Sequence, residues 1–116
     1  MNYFEKANDF YNARLYVKAI EMYKKAAAFK ENEGASLYNS AVCYIKLNQY
    51  SEALELLKQA VTIKKESKYF FNLGYCYAMI NNYKKALVNF NTAWALDNND
   101  SECEKAINLI IKKQTK

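Results

Sequence analysis

Apolar residues recur along this chain at helical spacing, and the whole pattern repeats. Tyr16, Ala19, Tyr23 and Ala26 match Tyr50, Ala53, Leu57 and Ala60, and then Tyr83, Ala86, Phe90 and Ala93. The alanines at 19, 53 and 86 are 34 and 33 residues apart, and the tyrosines at 16, 50 and 83 keep the same intervals. A second block lies upstream of each. The clearest is Phe70, Leu73, Gly74 and Tyr77; before it come Leu37, Ser40, Ala41 and Tyr44, and first of all Tyr3, Lys6, Ala7 and Phe10. Each block predicts a helix of roughly 13 residues, so each pair of blocks predicts a helical hairpin. Ala7, Ala41 and Gly74 fall where the first helix (A) approaches the second (B). Ala19, Ala53 and Ala86 are the small residues opposite, and Tyr23, Leu57 and Phe90 fill the space around them. Ala26, Ala60 and Ala93, one turn further along B, are placed to meet the following repeat. A coiled coil would sustain one heptad register, whereas this pattern resets at every turn. Asn48 and Asn81 mark two of the turns, where Asn tolerates left-handed backbone angles.

A period near 34 residues, with the patterns W-x2-L-G-x2-Y and A-x3-F, resembles the tetratricopeptide repeat family. The resemblance implies an all-α, right-handed superhelical solenoid forming a single domain over 1–116. Its repeats would span about 1–33, 34–67 and 68–100. The first repeat departs most: Lys6 stands at a usual Leu, and Arg14 at the usual turn Gly. No proline closes any repeat, since the chain contains none.

The last stretch has a different pattern. Ser101 and Glu104 read as an S-x-x-E capping box. Cys103, Ala106, Ile107, Ile110 and Ile111 then form one apolar stripe, predicting a helix over 101–116 that covers the last hydrophobic face of the solenoid. Lys112, Lys113 and Lys116 suit the negative end of that helix.

Composition agrees with helix. There are 116 residues, 52% hydrophobic, with only 2 Gly. The net charge of +5 comes from 17 basic and 12 acidic residues, and Arg14 is the sole arginine. Nucleic-acid readers lean on Arg for bidentate contacts, so this mild excess of lysine reads as a solvated surface. Cys43, Cys76 and Cys103 include no C-x-x-C pair and indicate neither a disulfide framework nor a zinc site. Cys43 and Cys76, each just before a tyrosine, read as small apolar fillers between helices. No run approaches the ~18 apolar residues of a membrane span, and the start of the chain lacks a signal-peptide pattern. A cytoplasmic location is expected.

Chemistry has little to work with here. The chain has no His, and neither glycine belongs to a phosphate-binding loop. No enzyme activity, cofactor or metal is expected. The resemblance implies instead that side chains of the A helices line a concave groove for a peptide or helix of another protein. Carried onto this chain, the groove takes Phe4, Asn8 and Tyr11 from the first repeat, Tyr38, Asn39 and Val42 from the second, and Lys68, Phe71, Asn72 and Tyr75 from the third. Phe4, Tyr38 and Phe71 would form an aromatic ladder, and Asn39 and Asn72 an amide one. Some members of the family hold acidic C-terminal tails with a clamp of Lys, Asn and Arg residues. Asn8, Asn39 and Lys68 match clamp positions, but Phe4 and Asn72 stand where cations are usual. A more apolar, amide-rich ligand than an acidic tail is therefore expected. Self-association through the exposed ends of a short solenoid is the alternative role, and nucleic-acid binding through surface lysines a third.

Overall fold

The computed structural model describes residues 2–114. Among these there are seven helices and no strand: α1 Tyr3–Asn12, α2 Tyr16–Ala28, α3 Glu33–Lys46, α4 Tyr50–Ile63, α5 Ser67–Met79, α6 Tyr83–Leu96 and α7 Ser101–Gln114. None is long and apolar enough to cross a membrane. The chain divides into two compact units, Met1–Lys64 with α1 to α4 and Lys65–Lys116 with α5 to α7.

The hairpin turns follow from one device used three times. Arg14, Asn48 and Asn81 have φ of 61°, 60° and 66°, which reverses the chain in a single residue. The amide of the next residue then reaches back five positions: Leu15 donates to Phe10, Gln49 to Tyr44 and Asn82 to Tyr77, at 2.8–2.9 Å. This is the Schellman closure that satisfies orphan carbonyls at a helix end. At two of the turns the Asn side chain adds a latch. The Tyr50 hydroxyl donates to Asn48 Oδ1 at 3.0 Å, and the Tyr83 hydroxyl to Asn81 Oδ1 at 2.9 Å. Arg14 has no acceptor to offer, and Tyr16 instead meets Tyr11 edge to face, centroids 5.6 Å apart. The closing proline is replaced, after α2, by two more left-handed residues, Lys30 and Asn32. The fully buried Ser36 ties that connector down by donating to the Glu31 carbonyl at 2.8 Å.

Every small residue expected at a close helix contact is buried. Ala7, Ala19, Ala26, Ala41, Ala53, Ala60, Ala86 and Ala93 are fully covered, and so are Cys43 and Cys76. In the first unit Ala7, Ala19, Ile20, Tyr23 and Cys43 form one cluster with Phe4, Phe10 and Tyr11 at its margin. In the second unit α5 packs on α6 around Gly74. A methyl group there would lie 2.7–2.9 Å from Cδ1, Cε1 and Cγ of Phe90, whose ring is itself held 5.3 Å from that of Phe71. Gly74→Ala is therefore expected to destabilise despite the helix propensity that alanine adds. Overpacking costs about 1–3 kcal/mol against a propensity gain of about 1. Adding Phe90→Leu is expected to recover part of the loss in a thermal melt; a single variant that melts higher than the parent would contradict this packing.

The last helix packs against α6, as its apolar stripe predicts. Cys103 and Ile110 are buried and Ala106 and Ile107 half-buried. Two details differ from the sequence reading. Ser101 is the first helical residue and does not cap: the Asp100 carboxylate, one position earlier, accepts from the Glu102 amide at 2.9 Å. A carboxylate at a helix start also meets the positive end of the helix dipole, which a hydroxyl cannot exploit as well. Ile111 is 44% exposed, because one more step of about 100° carries it past Ile110 onto the open side. Lys112 and Lys113 do occupy the last turn. Lys116 lies outside the described residues.

Candidate functional site

In the first unit, helical spacing puts Asn8 and Tyr11 on one face of α1, and Tyr38, Asn39 and Val42 on one face of α3. These five expected groove residues line a single cavity of about 260 Å³. The sixth lining residue, Tyr23 of α2, was legible only as core filler. Its ring is 1% exposed, yet its hydroxyl donates to Asn8 Oδ1. The Asn39 side chain lines the same cavity, close enough to the phenol to influence it. Burial, with the Cys43 thiol nearby and Tyr11 a lesser influence, pushes the Tyr23 hydroxyl up to about 12, and the Asn39 amide partly offsets this. The phenol is thus a neutral, buried group that bonds Asn8 and lies beside Asn39, two amides from consecutive A helices. The one signal available in the sequence was that the equivalent positions hold Leu57 and Phe90, neither with a hydroxyl. Phe4 does not line this cavity. It packs edge-on against the Tyr23 ring at 5.9 Å.

In the second unit the equivalent positions are arranged differently. Phe71 and Tyr75 line a cavity of about 380 Å³ floored by Phe90. The Asn72 amide turns back on its own helix and donates to the Lys68 carbonyl at 2.9 Å, while Lys68 Nζ lies 3.8 Å from the Glu66 carboxylate. Neither side chain lines the cavity. Asn39 and Asn72, one repeat apart in sequence, thus sit in different surroundings, and the repeat position that holds Tyr23 holds Leu57 and Phe90 in the later repeats.

The profile of the tetratricopeptide repeat family matches residues 12–73, more than half of the chain. The chain belongs to the tetratricopeptide repeat family. Solved structures of tetratricopeptide domains superpose on nearly all of it. The first such domain of Spaghetti (RPAP3), bound to the HSP90 peptide SRMEEVD, aligns with a TM-score of 0.93 at 19% identity, covering 98% of this chain and 91% of that one. The second domain of human RPAP3, in complex with the HSP70 peptide SGPTIEEVD, aligns at 0.88 and 24%, covering 94% and 92%. The Yersinia enterocolitica type III secretion chaperone SycD, in complex with a peptide of the translocator YopD, aligns at 0.90 and 15%, covering 97% and 92%. These identities make the likeness one of fold. No curated protein sequence matches the chain.

The buried thiols of this tetratricopeptide chain carry a prediction of their own. Burial pushes Cys43 and Cys76 up to about 12, and burial together with the Asp100 carboxylate takes Cys103 to about 11. Below the ordinary thiol value of 9.0 all three are protonated, folded or unfolded, and their contribution to stability is fully present. Above it the unfolded chain ionises and the folded chain resists, so stability is expected to fall as pH rises from 9 toward 12. A chromogenic disulfide reagent at neutral pH is expected to find no reactive thiol in the native protein and three in denaturant. Fast native labelling would contradict this burial.

Proposed function

We propose that this protein is a non-catalytic interaction module that binds an extended segment of another polypeptide, with the Asn8–Tyr23–Asn39 cluster as the element that grips its backbone. One observation carries the reading: a buried phenol bonds one amide and lies beside a second, both lining one half-open cavity. The phenol's proton occupies the Asn8 carbonyl oxygen, which leaves the Asn8 NH2 to donate. In this reading the Asn39 NH2 turns toward the phenol oxygen, which leaves its carbonyl to accept. A peptide unit offers one acceptor and one donor, the complement of that pair. Tyr11, Tyr38 and Val42 supply apolar area around it. The neighbours solved with bound peptides make this use of the fold a natural one. Phe4 and Asn72 lack the cations of an acidic-tail clamp, which favours an apolar, amide-rich segment. Three unpaired, buried thiols suit a reducing compartment such as the cytoplasm.

The test begins with affinity capture on the immobilised chain and continues with calorimetry on the partner obtained. Asn8→Ala with Asn39→Ala is expected to weaken binding about tenfold or more, since each hydrogen bond contributes about 0.5–1.5 kcal/mol. Tyr23→Phe is expected to weaken it less, by releasing the amides rather than removing them. Lys58→Ala, on the exposed side of α4, serves as the control. Unchanged affinity in the double variant, with an unchanged melt, would remove the site. Self-association is a second reading, favoured by Val17 and Phe29, which are 69% and 67% exposed on α2 and its end. Light scattering that finds a dimer sensitive to Phe29→Ser would support it. Binding to nucleic acid that falls steeply with salt would instead support the third role.

A further inference from the structure

The second unit holds a pocket of different chemistry, between α5, α6 and α7. Its walls are apolar: Phe71 and Met79 from α5, Phe90 from α6, and Ala106, Leu109 and Ile110 from α7. The volume of about 380 Å³ lies in the range of specific ligand sites. The walls are also left open. Met79 is 46% and Leu109 59% exposed, although both face one concavity. Among the described residues the only charged side chain lining it is Lys113. Its ammonium sits 5.4 Å from the centre of the Tyr83 ring, held over an aromatic face at the rim. Among the described residues no carboxylate lines the pocket.

We infer that this pocket takes a bulky apolar side chain of a partner peptide that carries a carboxylate beside it, with the anchor against Phe90 and Leu109 and the carboxylate at Lys113. The inference rests on reading the chain as a peptide binder and names the chemistry of one subsite. Charge complementarity selects the occupant. An apolar body alone would satisfy the walls but leave the rim cation with only the Tyr83 ring to meet. A run of acidic residues would find one cation and then an apolar surface. A single carboxylate next to a large apolar group answers both features. The first-unit site lacks this chemistry, since its floor is a phenol and two amides, and its lining holds no charge. The two pockets thus differ in chemistry: amides around a phenol in the first unit, apolar walls with one cation in the second.

The probe is the smallest molecule with both parts, N-acetylphenylalanine, compared with its amide and with N-acetylalanine. Each is titrated into the isotope-labelled full chain and followed by amide chemical shifts. The free acid is expected to move resonances of Phe71, Met79, Leu109 and Lys113 together. The amide is expected to bind about threefold or more weakly, as for one partly solvated ion pair, and N-acetylalanine not detectably. Lys113→Ala is expected to erase the difference between acid and amide. Leu109→Asn, at an exposed position where the fold tolerates polarity, is expected to weaken both. Shifts elsewhere, or none, overturn the pocket. Equal binding of acid and amide to the parent chain overturns the carboxylate. Resonances of the pocket that depend on protein concentration without probe, and cease to do so in Leu109→Asn, overturn the peptide in favour of a second copy of the chain. None of these readouts needs the natural partner, so failure here is distinct from failure of the Asn8–Asn39 double variant above.

Discussion

Truncation after Asp100 will cost the chain on the order of 3 kcal/mol or more, because it removes the buried Ile110 and Cys103 and uncovers the face of α6 on which they rest. Ile110 alone, at 3% exposure, accounts for about 1.5–3 kcal/mol of transfer free energy. The half-buried Ala106 and Ile107 add to it, and Phe90 loses cover beneath. A circular-dichroism melt of the truncated and full chains reads the difference, with aggregation of the shorter chain as the accompanying sign. Equal melting temperatures would show that α7 is not a cover at all. Ile111→Ser, at the exposed edge of the same helix, is expected to leave the melt within about 0.5 kcal/mol of the parent.

Ala86→Leu is the second large effect expected. Ala86 is fully buried on α6, on the helix that packs against Gly74 through Phe90. Three extra carbons have no void to enter, and overpacking of this kind costs about 1–3 kcal/mol, more where the opposing wall is backbone. Lys84→Leu, two positions earlier and exposed, is the matched control and is expected to change stability by no more than about 0.5 kcal/mol. If the two variants melt alike in chemical denaturation, the small residues are not at close contacts and the repeat register is wrong.

The fold was legible because its determinants are local and repeated. Alanines at intervals of 34 and 33 mark contacts too tight for anything larger, and all of them are buried. Tyr16, Tyr50 and Tyr83, which open the repeated B segments, are the first residues of α2, α4 and α6. What escaped were choices between neighbouring residues of similar chemistry. Asp100 and Ser101 both cap helices well, and only geometry decides that the carboxylate takes the place. The site was legible where it depends on one helix face, as for Asn39 with Val42. It was not legible where it depends on a hydroxyl meeting an amide across helices. A buried tyrosine in a core slot looks like any other aromatic until the atom at its tip is placed. Asn72 shows how much one register can vary: the same residue type, one repeat on, donates to the Lys68 carbonyl of its own helix.

The first hairpin turn bears on how long the protein lasts. Asn12 to Leu15 is exposed, and Arg14, the chain's sole arginine, sits there in a left-handed conformation with no asparagine latch. All three turns hold a non-glycine residue in left-handed backbone, but Asn tolerates it better than Arg and brings a latch, so the first turn opens more readily than its two counterparts. An arginine-specific protease therefore meets one accessible bond in the whole chain, Arg14–Leu15. Cutting it would detach α1, and with it Asn8 and Tyr11, from a scaffold whose other helices remain linked. The lifetime of the proposed site is then set by this one turn, and grafting the latch as Arg14→Asn would remove the scissile residue and brace the turn in one change.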